Sequence, residues 1–367
     1  MVKVLHIFSE ADIGGVSAVV LNYFSHVDRG RITFDIALTS GEVGRNGEKL
    51  RELGAKVCFL PLKSKGVAEY KKKLGELLEK ESYGAVHVHD NETSYVALSV
   101  AKRHGVPVRV AHMHSAYPAQ GAYLKLRRLS GRLLNKRYAT HLAACGRYSG
   151  EVMYGKNFKP DGRRYFIIPN ALDLDKFSYD RGARERVRAE LGLSDSFVML
   201  FAGRLSIEKN ADHAVCVADM LRKKIPNASL VIAGDGEKRE MIERDIIMKD
   251  ERDHIRLIGK YDDMPSLYSA ADVLLMPSLY EGFPVVAAEA LACGLPCILS
   301  ENVTDELSFS PIVRYLPLGD REVWAAEAAK YAGAERTAGD RELLAEHGLD
   351  IEGGAAARRN LSRREIK

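Results

Sequence analysis

The chain has 367 residues, a formal net charge of +4 and 28% charged residues. This length exceeds what one hydrophobic core usually organises and fits two domains. The composition is typical of a soluble globular protein, and no apolar run approaches the roughly 20 residues that cross a bilayer. The five cysteines form no CxxC pair, which argues against a disulfide scaffold and favours a reducing compartment. Because no signal-peptide pattern is visible at the start, we expect a cytoplasmic protein.

Positive charge is concentrated in the first half of the chain. Residues 1–165 contain 27 Lys or Arg and 15 Asp or Glu, whereas the remainder contains 27 and 35. The two halves therefore carry charges of +12 and −8. This asymmetry indicates an anionic partner for the first half, such as a phosphate-bearing acceptor or a membrane surface. Scattered, solvated lysines are the alternative.

Short apolar runs alternate with amphipathic segments of helical period, which is typical of βαβ units. The candidate strands are VKVLHIF, FDIALTS, AKVCFL, GAVHVH, VPVRVAH, THLAAC and RYFIIP in the first half, and SFVMLFAGRL, ASLVIAGDG, HIRLIGK, DVLLMPS and PCILS in the second. Strands without polar alternation are expected where helices cover both faces of a parallel sheet. The pattern predicts an α/β protein with two Rossmann-like, doubly wound parallel-sheet domains that face a cleft.

The segment IIPNALDLDKFSYD interrupts this pattern and is the best linker candidate, because it contains Pro169, Asn170 and several aspartates. We assign residues 1–170 to an N-terminal domain, 171–345 to a C-terminal domain and 346–367 to a terminal segment. Ligands of open α/β sheets bind beyond the carboxyl ends of the strands. Polar motifs that follow the predicted strands are therefore the candidates for a functional site.

The first such motif is the glycine-rich turn in SEADIGGVSAVV, after the first strand. Ser17 and Ala18 stand where a third glycine would be needed, so the turn is not a dinucleotide-binding fingerprint. Gly14 and Gly15 would still let the backbone approach a sugar or a phosphate. A plain tight turn is the alternative.

Two later strands end in paired histidines, His87 with His89 and His112 with His114. Residues two apart on a strand point the same way, so a metal site is geometrically allowed. We expect no metal, because no Cys or carboxylate accompanies them at a recognised ligand spacing. A histidine at a strand end is suited instead to binding a substrate hydroxyl or to proton transfer.

Residues 121–137 predict a basic amphipathic helix. No acidic residue lies between Gln120 and His141. The cations are Lys125, Arg127, Arg128, Arg132, Lys136 and Arg137, and the apolar stripe is Leu124, Leu126, Leu129, Leu133 and Leu134. Such a helix is typical of peripheral attachment to anionic lipid, which we expect for residues 121–137. An ordinary core-packed helix with a solvated basic face is the alternative.

Two motifs follow strands of the second half. In FAGRLSIEKN, Arg204 and Lys209 form a candidate clamp for a diphosphate. In LYEGFPVVAAEALACG, Glu281 lies in a turn and Glu289 lies in a helix predicted over Pro284–Cys293, whose N-terminus favours a phosphate. A carboxylate among Ala and Val needs a hydrogen-bonding partner, and vicinal sugar hydroxyls would serve. Two exposed acids without a binding role are the alternative.

Together these motifs resemble those of the retaining glycosyltransferases of the GT-B fold, specifically the family 4 group common in bacterial capsule, exopolysaccharide and cell-envelope synthesis. The resemblance is strongest in FAGRLSIEKN, LVIAGDGE, IPNALDLDKF and GKYDDMPSLYSAADVLLMPSLYEGFPVVAAEALACGLPCILS. It implies a hexosyltransferase that uses a nucleoside diphosphate sugar, UDP-linked by family frequency, and a glycan or polyprenyl-linked acceptor. It implies no metal or other cofactor, and we expect no nucleic-acid partner.

The resemblance also implies roles for individual residues. Arg204 and Lys209 would stabilise the leaving diphosphate, and Glu281 would contact hydroxyls of the transferred sugar. Glu289 would hold the ribose, and His114 would lie near the primary hydroxyl of the sugar. We group His114, Arg204, Lys209 and Glu281 as catalytic. The further donor-binding residues that the resemblance implies are Gly15, Tyr261, Gly282, Phe283, Pro284 and Val285.

The chain departs from the family pattern in two places. Ser115 stands where near relatives often have Asn, and the terminal segment is rich in Ala and Arg although a helix returning to the N-terminal domain is expected there. Two other functions fit the same motifs: a non-catalytic sugar-nucleotide-binding subunit and a GT-B sugar-nucleotide epimerase. The expected location is the cytoplasm, with peripheral contact at the inner face of the cell membrane.

Overall fold

A computed structural model describes residues 1–12, 15–114, 117, 121–156, 158–336 and 339–352. The chain divides into two compact units: unit 1 contains Met1–Leu172 with Ile351 and Glu352, and unit 2 contains Asp173–Asp350. Each unit has one parallel sheet flanked by helices. The predicted α/β class with two doubly wound sheets is therefore confirmed. Of the predicted terminal helix, residues 353–367 lie outside the described part of the chain.

Unit 1 is built on a seven-stranded sheet. Its strands are β1 (Val2–Phe8), β2 (Ile32–Leu38), β3 (Val57–Phe59), β4 (Ala85–Val88), β5 (Val108–Met113), β6 (His141–Ala144) and β7 (Tyr165–Ile167). Its helices are α1 (Gly15–His26), α2 (Gly44–Glu52), α3 (Val67–Lys80), α4 (Ser94–Arg103), α5 (Gly121–Tyr138) and α6 (Arg147–Tyr154). The strand order β3-β2-β1-β4-β5-β6-β7 reverses direction between β1 and β4. That reversal makes a topological switch point at the carboxyl ends of β1 and β4.

Unit 2 contains a six-stranded sheet. Its strands are β8 (Phe197–Ala202), β9 (Ala228–Ala233), β10 (Ile255–Gly259), β11 (Val273–Met276), β12 (Cys297–Ser300) and β13 (Val313–Leu316). Its helices are α7 (Arg181–Leu191), α8 (Ala211–Arg222), α9 (Arg239–Met248), α10 (Met264–Ala270), α11 (Val285–Ala292), α12 (Arg321–Ala329) and α13 (Arg341–Glu346). The order β10-β9-β8-β11-β12-β13 places the switch point between β8 and β11.

The sequence patterns explain these elements with one exception. Strands β8 and β9 are buried along almost their whole length, as expected for a parallel sheet covered on both faces. Strand β13 was not predicted. It is an edge strand with an exposed Arg314, so its apolar signal is weak. Among the described residues, no helix combines the length and apolar character needed to cross a bilayer.

Candidate active site

The loop that carries Arg204 and Lys209 starts from a close contact between two glycines. The Gly203 amide donates to the Ala233 carbonyl (2.9 Å), and the Gly234 amide donates to the Gly259 carbonyl (2.8 Å). A Cβ on Gly234 would lie 1.8 Å from the carbonyl oxygen of Gly203, so no side chain fits there. The carboxyl ends of β8, β9 and β10 are thereby locked together.

Lys209 and Glu281 meet at the switch point of unit 2. The Lys209 ammonium forms an ion pair with Glu281, whose Oε1 also accepts a hydrogen bond from the Ser278 hydroxyl (2.8 Å). The two charged side chains are only 23% and 13% exposed. The side-chain carbons of Lys209 pass over Gly203, where a Cβ would lie 3.8 Å from Lys209 Cδ. The predicted diphosphate-binding lysine and the predicted sugar-binding glutamate therefore share one partly buried site.

Backbone contacts hold the two loops of this site together. The Leu279 amide donates to the Glu208 carbonyl (2.7 Å), and the Asn210 side-chain amide donates to the Pro277 carbonyl (3.1 Å). Asn210 has a φ of 54°, in the left-handed region that Asn tolerates better than most residues. Arg204 is exposed at the beginning of the first loop. The ion pair therefore joins loops that are already fixed by their backbones.

Helix α11 points its N-terminus at the same edge of the sheet. It begins at Val285, one residue later than predicted, with Pro284 as N-cap and no side-chain cap hydrogen bond. The Val285 amide donates to the Phe283 carbonyl (3.0 Å), no side-chain cap serves the N–H groups that follow it, and the helix dipole favours an anion there. Gly282 and Phe283, which precede the helix, are buried. The start of α11 is thus suited to a phosphate or a sugar oxygen.

Glu289 lies on α11 away from the ion pair. Its Oε2 accepts a hydrogen bond from the hydroxyl of Tyr268, which is fully buried on α10 (2.6 Å). Burial raises the pKa of Glu289 to about 7, although the Tyr268 hydroxyl acts in the opposite direction. Burial also raises the pKa of Tyr268 well above its usual value, so this hydroxyl stays a donor. Glu289 is therefore a carboxyl group that lacks enough polar partners to ionise easily.

The other predicted donor contacts are spread over the two units. Tyr261 follows β10 and is partly buried, and burial together with Glu190 raises the pKa of its hydroxyl. Gly15 is the first residue of α1, in unit 1, with a φ of 61° and no atom within 4 Å of a hypothetical Cβ. Gly14 and Ser115 lie outside the described residues. Nothing in the structure tests the roles predicted for these residues, which stay predictions.

His114 belongs to a larger cluster in unit 1. The cluster contains His6, His87, His89, His112 and His114. Its ring nitrogens bond one another: His89 Nδ1 to His114 Nε2 at 2.7 Å, and His6 Nδ1 to His89 Nε2 at 3.1 Å. Burial lowers the pKa of His114 to about 4, so its imidazole is neutral.

The histidine nitrogens also approach one another closely enough to be considered as metal ligands. Two triads, His6–His87–His89 and His89–His112–His114, have such nitrogens within 4.8 Å of one another. In the structure several of these nitrogens form hydrogen bonds with one another. The absence of a metal stays a prediction.

Helix α5 presents its apolar side chains outwards. Leu126, Leu129 and Leu133 are exposed, as is Tyr123 at the preceding position of the same stripe. The core-packed alternative is therefore wrong for these leucines. The buried residues of α5 are Gly131 and Asn135, whereas Leu124 and Leu134 are half-buried, so the helix buries little of its apolar stripe.

Three inward residues fix α5 to the rest of unit 1. Arg128 donates to the Tyr117 carbonyl (2.6 Å) and lies 3.6 Å from the buried Glu92. Asn135 donates to the Asn91 carbonyl (3.2 Å). A Cβ on Gly131 would lie 2.8 Å from atoms of Glu92, so the helix approaches that residue closely. These contacts position the exposed leucines without burying them.

Sequence reasoning missed several partners of the predicted residues. The contacts of Tyr268 and Ser278 were not predicted, because a single hydroxyl-bearing residue does not form a recognisable motif. Both residues lie in the segment that most resembles the family. His6 was not predicted as a cluster member, because its strand contains no second histidine to form a pair. Only the strand pairing, in which His6 lies opposite His87, brings it into the cluster.

Comparison with known proteins identifies the family. The models for "Glycosyl transferases group 1" and "Glycosyltransferase Family 4" match residues 183–304 and 13–176. "Putative glycosyltransferase EpsF" of Bacillus subtilis (strain 168) is 30% identical over 369 residues, which cover 98% of this chain and 96% of EpsF. The chain belongs to the family 4 glycosyltransferases. The predicted family is confirmed, and so is the prediction of a transferase enzyme.

Two further comparisons concern a second curated relative and the fold. "Alpha-monoglucosyldiacylglycerol synthase" of Acholeplasma laidlawii is 27% identical over 219 residues, which cover 54% of each chain. The crystal structure of HepE from Anabaena in complex with UDP and glucose matches this chain with a TM-score of 0.80 and 16% identity. The match covers 99% of this chain and 100% of HepE. This structural likeness confirms the GT-B fold.

The raised pKa of Glu289 predicts a pH-dependent effect of Glu289→Gln on stability. The folded state holds a proton on Glu289 up to about pH 7, whereas the unfolded chain releases it near the usual 4.5. The wild type therefore loses stability as the pH rises from about 4.5 through 7. We expect Glu289→Gln to unfold at nearly the wild-type temperature at pH 5 and to be more stable by about 2 kcal/mol at pH 8.

Thermal unfolding of the full chain at the two pH values measures this difference. Glu240→Gln is the matched control, because Glu240 is exposed on another helix of unit 2. An equal effect of Glu289→Gln at pH 5 and pH 8 would contradict the assigned environment of Glu289.

Proposed function

We propose that this chain is a retaining hexosyltransferase that uses a UDP-linked sugar and acts in cell-surface polysaccharide synthesis. The observation that carries the proposal is the convergence, at the switch point of unit 2, of the Lys209–Glu281 pair with the N-terminus of α11. A cation, a carboxylate and a set of backbone N–H groups at one edge match a sugar diphosphate, which has anionic and hydroxylated parts.

Each of these groups has a separate task in the proposed donor site. The Lys209 ammonium and the start of α11 supply positive potential for the diphosphate, and the exposed Arg204 adds a second cation. Glu281 accepts hydrogen bonds from hydroxyls of the transferred sugar. Glu289 accepts those of the ribose, and this interaction supplies the polar partners that its carboxylate otherwise lacks. Among solved structures of similar fold, HepE was crystallised with UDP and glucose, which supports a UDP-linked donor.

The contacts of Glu281 favour front-face transfer over a covalent glycosyl intermediate. A carboxylate that is paired with Lys209 and accepts a bond from Ser278 is held as an acceptor and is a poor nucleophile. In the proposed step, the bond between the anomeric carbon and the diphosphate oxygen breaks. The acceptor oxygen bonds to that carbon from the same face, and its proton passes to the departing phosphate. The configuration at the anomeric carbon is then retained.

Removal of Lys209 tests the donor site. Lys209→Ala removes the partly buried cation, and we expect the affinity for UDP to fall by about 10- to 100-fold because a charge-assisted contact is lost. Isothermal titration with UDP and GDP measures this loss and compares the two bases. Wild-type UDP affinity in Lys209→Ala would contradict the proposed site.

The matched control for this variant is Arg222→Ala. Arg222 forms an ion pair with the buried Glu251 at the opposite end of α8. Removal of Arg222 therefore also leaves a carboxylate of unit 2 without its cationic partner. We expect Arg222→Ala to lose stability and to keep the affinity for UDP.

With wild-type enzyme, the product also separates the alternatives: an isomerised nucleotide sugar without transfer would identify an epimerase, and an inverted linkage would contradict retention.

We propose that transfer needs no metal, because Lys209 and the start of α11 supply the positive potential that a divalent cation would otherwise provide. Full activity is expected in excess EDTA, measured as UDP release in the presence of acceptor or as slow donor hydrolysis in its absence. Loss of activity in EDTA, with recovery on adding a divalent cation, would overturn this scheme.

The acceptor is proposed to be a glycan or polyprenyl-linked glycan at the inner face of the cell membrane, with α5 as the contact. The exposed stripe of Tyr123, Leu126, Leu129 and Leu133 would enter the headgroup region, and the neighbouring cations, including Lys125, would meet anionic lipid. One relative is named "Alpha-monoglucosyldiacylglycerol synthase", which supports an acceptor held at a membrane.

Replacement of the exposed leucines tests this contact. The triple variant Leu126→Ser, Leu129→Ser, Leu133→Ser should keep the fold, because these side chains are exposed, and should lose most binding to vesicles that contain anionic phospholipid. Vesicle co-sedimentation measures the loss. Ile247→Ser with Met248→Ser removes exposed apolar side chains from α9 of unit 2 and should leave binding unchanged. Equal binding by the triple variant would exclude α5 as the membrane contact.

A further inference from the structure

A cationic cavity of unit 2 lies at the amino ends of β8 and β11. Its volume is about 350 Å³, and its lining residues are Tyr179, Arg181, Arg184, Glu185, Arg188 and Ser194. Asp272, which precedes β11, accepts hydrogen bonds from Arg184, from Arg188 and from the Val198 amide of β8. The proposed donor site follows the carboxyl ends of the same two strands. The cavity and the donor site therefore lie at opposite edges of one sheet.

Helix α7 presents its arginines to the cavity from one side. Arg181, Arg184 and Arg188 are three and four residues apart, which is the spacing of neighbours on one face of a helix. Arg184 and Arg188 both donate to the Ala270 carbonyl at the end of α10, at 3.2 Å and 2.8 Å. Their side chains are only 23% and 9% exposed. The protein therefore fixes both guanidinium groups before any ligand binds, which lowers the entropic cost of binding.

Three guanidinium groups, those of Arg184, Arg188 and Arg336, gather around one carboxylate. Within the described part of the chain, Asp272 is the single acidic side chain that pairs with them. The Arg336 guanidinium carbon lies 5.4 Å from the centre of the Tyr179 ring, and its Nε is buried without a hydrogen-bond partner among the described residues. Burial, together with the charge of Arg184, lowers the pKa of Arg336 to about 10. The carbonyl groups at the end of α10 offset only part of this excess positive charge.

The lining of the cavity also offers hydrogen-bond donors that the protein does not use. Among the described residues, no acceptor bonds to the Tyr179 hydroxyl, the Ser194 hydroxyl or Arg184 Nε. Glu185 is the one acid of the lining, and it pairs with Arg181 at 2.9 Å. The cavity therefore combines fixed guanidinium groups, two hydroxyl groups and no unpaired carboxylate.

We propose that this cavity binds a phosphoryl group, at a site separate from the proposed donor site. A phosphoryl group has several anionic oxygens, which accept paired hydrogen bonds from a guanidinium group and further bonds from hydroxyl groups. The volume of the cavity lies within the range of small-ligand pockets. The ligand is a free phosphorylated compound or the headgroup of an anionic lipid, since both present the same oxygens.

Calorimetric titration of the full chain tests the site. The probes are inorganic phosphate, inorganic diphosphate and soluble dihexanoyl phosphatidic acid. The Lys209→Ala chain is titrated as well as wild type, because that variant weakens anion binding at the proposed donor site. We expect saturable binding in both chains, unaffected by UDP. Tighter binding of the phosphatidic acid would identify a lipid headgroup as the ligand, and tighter binding of phosphate or diphosphate would identify a free compound.

Two changes to the lining are expected to weaken this binding. Arg184→Gln removes a charge but keeps an amide that can donate to the α10 carbonyls, and should lower the affinity for phosphate at least about tenfold. The double variant Tyr179→Phe, Ser194→Ala removes only the two hydroxyl groups and keeps the ring beside Arg336. It should lower the affinity about fivefold. Because it disturbs no described hydrogen bond of these side chains, it decides the question if Arg184→Gln does not fold.

Arg186→Gln is the matched control. Arg186 lies on the same helix but outside the cavity, and it donates to the Ser266 hydroxyl (3.2 Å). We expect it to bind phosphate like its parent. No saturable binding by Lys209→Ala, or unchanged binding in the folded lining variants, would overturn the proposal and leave the arginines with the structural role of holding α10. The proposed function is tested separately: failure of wild type to bind UDP would contradict the donor site, while the phosphate titrations still decide the cavity.

Discussion

The ion pair between Lys209 and Glu281 is the interaction on which the site in unit 2 depends. It joins the loops after β8 and β11, two neighbouring strands whose helical connections leave the sheet in opposite directions. Without a partner, each of these poorly exposed charges would carry a desolvation penalty. The two side chains compensate each other's charge within loops that backbone hydrogen bonds already hold, and in the proposed donor site a diphosphate would replace part of this electrostatic contact.

Stability and binding are opposed at Glu289. The carboxyl group is stable in the free protein only because it takes up a proton readily, and Tyr268 provides one hydrogen bond where an ionised carboxylate would accept several. In the proposed donor site, a ribose with two hydroxyls would supply the missing donors. A residue of this kind lowers the stability of the unliganded protein and would raise its affinity for the ribose, a combination that is common at binding sites.

Motifs and strand patterns predicted most of the fold and placed the candidate site residues after the strands of each sheet. Lys209 and Glu281 could be placed at one edge because both follow buried strands, but their direct pairing depends on β8 lying next to β11, which the sequence order does not reveal. Tyr268 and His6 could not be predicted, because a single polar residue in an apolar segment becomes meaningful only through its tertiary partner. The edge strand β13 was missed since an exposed strand lacks a continuous apolar run.

The proposed membrane contact of α5 has a consequence for the thermodynamics of binding. Many amphipathic segments are disordered in water and fold as they bind, so that part of their affinity is lost to conformational entropy. Here Arg128, Gly131 and Asn135 already hold the helix against unit 1 with its leucines outwards. Binding to a bilayer would then bury apolar area without a folding cost, and its heat-capacity change would reflect surface burial alone.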